Sequence, residues 1–134
     1  MGDVIAVHSI FAGKSRASLS HPVVRKKEEL SHFLFSYTPN HWASLETSIN
    51  LAQRIWRWVV EEYMKDARVK GASISRQQAE ASTECVWLLD CWPVNTSRAF
   101  HEAVQKLAGG QIEILHVPAG GTGRYQVNDH MHQP

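Results

Sequence analysis

The run Cys85-Val86-Trp87-Leu88-Leu89-Asp90 opens the stretch that decides the fold. An unbroken apolar run ended by a charge reads as a strand buried on both faces. Pro93 stops it, and Thr96 or Ser97 is placed to cap a following helix. That helix carries Phe100, Ala103, Val104 and Leu107 at spacings of three and four, and Gly109-Gly110 ends it. Ile112, Ile114, Leu115 and Val117 then form another strand, closed by Pro118. Strand, helix and strand in this order imply a parallel pair joined by a helical crossover, hence an α/β layer.

Upstream, Leu45, Ile49, Ala52, Trp56, Val59 and Tyr63 predict an amphipathic helix over 44–68, with Ser44 as its N-cap. Trp56 and Trp58 belong to its core stripe rather than to a base-stacking surface. Val4-Ile5-Ala6-Val7 with Ile10-Phe11 predicts a strand within 2–12, again buried on both faces. Residues 13–40 form a long irregular connection with one short strand near 33–37, and the polar stretch 70–83 is a surface loop. The expectation is one domain over 1–134, with a mixed sheet of about three to four strands and two main helices.

Composition sets the outer bounds. The chain has 134 residues, 14 Lys+Arg against 13 Asp+Glu, and a net charge of +1. This balance excludes a polybasic arm that binds nucleic acid by bulk electrostatics, but not a local basic patch. No apolar run approaches the ~20 residues of a membrane span, and the N-terminus lacks the pattern of a signal peptide. Cys85 and Cys91, read on one strand, would sit roughly 20 Å apart, beyond disulfide reach. Free thiols in a reducing, intracellular setting are expected.

Several residues could carry chemistry. Asp90 stands at the C-terminal end of a strand, where ligands of open α/β sheets bind. It is either a divalent-cation ligand or the cap of the next turn. Asp129, past the next helix and strand, could complete a carboxylate pair for Mg²⁺. Gly13-Lys14-Ser15 matches the end of a phosphate-binding loop, but His8 stands where its first glycine belongs. Gly120-Gly121-Thr122-Gly123-Arg124 is either an anion nest or a surface turn. His130-x-His132 beside Asp129 is either a zinc site or plain tail. His41 is a ligand or base, or a packing residue. Arg25-Lys26-Lys27 touches a phosphate backbone, or is solvated beside Glu28-Glu29.

A resemblance ties these segments together. Trp87 to Ser97, then Ile114-Leu115-His116-Val117-Pro118-Ala119 to Thr122, and Gln126-Val127-Asn128-Asp129, resemble the catalytic core of DDE-superfamily endonucleases, the transposase-derived proteins of the pogo/Tigger type. Ile10 to Leu19 resembles that family's strand with a Gly-Lys-Thr turn, and Asn40-His41-Trp42 before a helix is similar to another of its elements. The resemblance implies an RNase H-like fold, incomplete here, a DNA partner, a nuclear location and metal-dependent strand cleavage with Mg²⁺ or Mn²⁺. It implies that Asp90 and Asp129 are the second and third catalytic, metal-binding carboxylates. The first falls before Met1 in this alignment, so the expectation is a chain that binds nucleic acid without competent cleavage. The alternative is a non-enzymatic remnant acting through protein contacts. A sheet short of strands is expected to leave exposed edges that favour self-association.

Overall fold

The computed structural model describes residues 6–27 and 32–118. Its described elements are β1 (Val7–Ala12), a 3-10 turn (Arg16–Ser18), α1 (Pro22–Arg25), β2 (Phe33–Thr38), α2 (Leu45–Val69), α3 (Arg76–Ser82), β3 (Cys85–Leu89), α4 (Arg98–Ala108) and β4 (Ile112–His116). The chain is α/β, as expected. The single mixed sheet is not. The described strands form two separate two-stranded sheets, β1–β2 and β3–β4, and both are parallel. Val7 pairs with Phe33 through Ala12 with Thr38, and Cys85 with Ile112 through Leu89 with His116.

The split follows from where the apolar stripe of α2 goes. Ala52, Trp56 and Val60 of α2 are buried with Ala79 of α3, Phe100, Val104 and Ala108 of α4, and Ile112 of β4. Cys85, Trp87, Leu89 and Ile114 pack against this cluster. No β1 or β2 residue belongs to it. The helices between the pairs therefore serve β3–β4, and β1–β2 packs its own Phe11, Phe33 and Phe35 at ring separations of 6.3 and 5.7 Å.

With helices on one side only, β3 is not buried on both faces as its apolar run implied. Val86 and Leu88 are 59% and 61% exposed, alternating with half-buried Cys85, Trp87 and Leu89. Leu115 of β4 extends the same bare face. The strand within 2–12 begins at Val7 among the described residues, and its members are half-buried up to Phe11.

The helix ends obey local chemistry. Ser44 and Thr47 form a reciprocal capping box at the start of α2, as the sequence led one to expect for Ser44. Ser97, not Thr96, caps α4, and Gly109 ends it in the left-handed conformation. The expected loop at 70–83 contains α3 instead. Ser75 and Gln78 make a second capping box there, and Ala79 anchors the short helix in the core. Both cysteines are free, with Cys91 just past the end of β3. Among the described residues, no helix is long and apolar enough to cross a membrane.

Candidate functional site

In parallel sheets the carboxyl ends of the strands are where ligands bind. Here the turns after β1 and β2, with Trp92 three residues past β3, line one cleft of about 960 Å³. Gly13, Lys14 and Arg16 line it after β1, Thr38 to Asn40 and Trp42 after β2, and Trp92 after β3. Arg25 of α1 and Ser44, Glu46, Thr47 and Asn50 from the start of α2 also line it.

Backbone geometry fixes the rim. Gly13 has φ +155°, and a Cβ there would lie 1.7 Å from Ser18 Oγ, so only glycine fits. Gly13 N donates to Thr38 O at 2.8 Å, which locks the turn after β1 to the end of β2. Ser15 Oγ caps the 3-10 turn by accepting from Ala17 N. A 3-10 turn rather than a full helix follows Gly13-Lys14-Ser15, and His8 sits inside β1 sharing a hydrogen bond with Ser36 Oγ at 2.6 Å. The phosphate-loop alternative therefore lacks its geometry. Burial pushes the His8 imidazole below its ordinary pKa.

The turn after β2 aims an aromatic into the cleft. His41 adopts φ +57°, an uncommon conformation for a non-glycine residue. Thr38 Oγ1, buried, donates to Trp42 O at 2.9 Å. Trp42 is 52% exposed and stacks between His41 at 5.3 Å and Trp92 at 5.1 Å. His41 is exposed and stacks on Trp42 in this turn. Trp92 Nε1–H is buried with no hydrogen-bond acceptor among the described residues. Buried donors are normally paired, so this one marks a place for an acceptor. Arg25 Nε donates to Ser20 O at 2.8 Å, while Lys26 and Lys27 are exposed. Among the described residues neither Lys14 nor Arg16 has an ion-pair partner.

Asp90 lies beside this cleft, exposed, directly after β3. Its Oδ1 accepts from Asn95 Nδ2 at 2.6 Å and from Trp92 N at 3.4 Å. The carboxylate therefore caps the 90–95 turn and holds Trp92 in place, and its Oδ2 stays open among the described residues. Asp129, the Gly120–Arg124 stretch and the pair His130 and His132 lie outside the described residues. Among the described residues no three His, Cys, Asp or Glu side chains converge. Asp90 is thus the described member of the expected carboxylate pair.

The sequence reading missed three features. Trp42 and Trp92 come together from segments 50 positions apart, which no local pattern reveals. His101 of α4 and His116 of β4 bring their Nε2 atoms to 3.1 Å. Asn95 offers its carbonyl oxygen to His101 Nε2, also at 3.1 Å. The βαβ unit assembles this last group, and the only available signal was its strand–helix–strand order. No family model, curated protein or solved structure matches the chain.

Proposed function

We propose that the cleft at the strand ends binds a nucleic-acid strand, and that the chain is the binding part of a transposase-derived, RNase H-like endonuclease domain acting on DNA in the nucleus. The observation that carries the binding reading is the pairing of cations with stacked indoles: Lys14, Arg16 and Arg25 line the same cleft as Trp42 and Trp92. Single-strand binders combine a cationic groove for the backbone with aromatic faces for the bases. Trp92 Nε1–H, without an acceptor among the described residues, favours an acceptor-rich ligand, while Glu46 in the first turn of α2 is the carboxylate among the cleft's lining side chains. In this reading Asp90 and Asp129 hold the places of the family's metal-binding carboxylates.

The test is titration of a short single-stranded DNA into the full chain, followed by Trp fluorescence, with duplex DNA and a non-nucleic polyanion such as heparin as comparators. Quenching by single-stranded DNA that Trp42→Ala removes supports the reading. Equal response to heparin, or none to DNA, overturns it. Plasmid nicking with Mg²⁺ or Mn²⁺ that Asp90→Asn abolishes would overturn the expectation of inactivity. A second reading, association with protein, rests on the bare face formed by Val86, Leu88 and Leu115.

A further inference from the structure

We propose that His101, His116 and the Asn95 carbonyl form a binding site for a borderline transition-metal ion such as Zn²⁺, separate from the cleft and independent of the function proposed above. The geometry is that of ligands around one ion. At metal–nitrogen distances of about 2.0–2.1 Å, a 3.1 Å separation of two donors subtends about 95–100° at the metal. That lies between the square-planar and tetrahedral angles. His101 Nε2 lies at the same 3.1 Å from Asn95 O, so two of the three donor pairs are spaced as two ligands of one ion.

The protonation pattern points the same way. His116 Nδ1 lies 3.3 Å from the backbone oxygen of Asp90. A carbonyl only accepts, so Nδ1 carries the hydrogen and Nε2 presents its lone pair. A backbone carbonyl taking the other ring N–H is the usual partner that orients a metal-bound histidine. Asn95 O presents a lone pair as well. One proton on His101 Nε2 thus serves two acceptors, and a metal ion replaces that proton, leaving His101 as its Nδ1–H tautomer. Two imidazoles with one carbonyl suit Zn²⁺, Cu²⁺ or Ni²⁺ better than Mg²⁺, which takes all-oxygen sets. Because α4 and β4 belong to the packed core unit, the two rings are held on rigid elements.

The experiment is calorimetric titration of ZnCl₂ into the full chain carrying His130→Ala and His132→Ala, which removes the tail histidines as a competing site. One Zn²⁺ per chain is expected, with affinity falling at least about tenfold on adding His101→Ala or His116→Ala. Loss of binding in the tail variant alone overturns the proposal, as does retention of full affinity without either core histidine. Long-range imidazole ¹H–¹⁵N spectra of the unaltered chain give a second reading that needs no folded variant. Zn²⁺ must shift the Nε2 resonances of both His101 and His116, with His116 as the Nδ1–H tautomer before addition. Unmoved Nε2 resonances overturn the site.

Discussion

Removing two of the three cations that line the cleft is the sharpest perturbation of the proposed nucleic-acid interface. Single-stranded binding has a log–log salt slope of about −0.7 for each phosphate neutralised. If Lys14, Arg16 and Arg25 each meet one phosphate, the slope is about −2, and affinity falls roughly 18-fold between about 50 and about 200 mM salt. The double variant Lys14→Ala/Arg16→Ala leaves one contact, so the slope flattens to about −0.7 and the loss over the same range shrinks to roughly threefold. Trp42→Ala acts on a different term. Base stacking is worth about 1–3 kcal/mol per base and carries no counterion release, so the salt dependence keeps its slope while affinity drops at every salt concentration. Fluorescence anisotropy of a labelled single-stranded oligonucleotide measures both. An unchanged slope in the Lys14/Arg16 double variant refutes the assignment, and so does a Trp42→Ala variant whose slope changes while its affinity at low salt does not.

Three further outcomes are expected. Gly13→Ala drives a Cβ into Ser18 and strains the left-handed backbone, so it should lower the thermal midpoint and weaken oligonucleotide binding together; a variant as stable as the parent would contradict the packing described. His8 has its pKa depressed by burial, so the unfolded chain takes up its proton first: the stability it contributes is complete above pH ~6.5 and declines as pH falls toward the lowered folded value. Melts across this range should show that decline in the parent and a flatter profile in His8→Gln. Trp56→Ala empties the centre of the α2–α4 contact and should cost about 3–5 kcal/mol by urea unfolding, whereas Trp58→Ala, at a half-buried position, should cost clearly less.

Much of the local structure was legible because it is written in local patterns. The stripe from Leu45 to Tyr63 announced α2, and Ser97 with Gly109 bounded α4. The element α3 escaped because only Ala79 is buried, leaving no periodic stripe; its sole marker was the Ser75-x-x-Gln78 capping box. The burial of β3 was misread for a different reason. An apolar run states that a strand tolerates cover on both faces, not that cover exists, and the described helices reach only one side. The parallel β3–β4 pair followed from the strand–helix–strand order, but the β1–β2 pairing and the cleft were illegible. They depend on which distant segments meet, as Trp42 meets Trp92 and His101 meets His116, and period-two or period-3.6 patterns carry no such information.

Asp90 shows how one residue's two readings, turn cap and cation ligand, separate experimentally. Its Oδ1 accepts both hydrogen bonds of the turn, from Asn95 and Trp92, and an asparagine oxygen accepts the same two bonds, each weaker without the charge. Asp90→Asn therefore removes the charge and keeps the turn, while Asp90→Ala removes both. If capping is the whole role, Asp90→Asn melts close to the parent, Asp90→Ala loses about 1 kcal/mol, and millimolar Mn²⁺ moves neither parent nor variants differently. If the open Oδ2 takes a cation, Mn²⁺ raises the parent's midpoint by mass action and leaves both Asp90→Asn and Asp90→Ala unmoved. The turn geometry accommodates either result, since capping occupies one carboxylate oxygen and leaves the other. A Mn²⁺ shift retained in Asp90→Asn would remove Asp90 from the metal-binding set and leave it as the residue that positions Trp92 at the cleft.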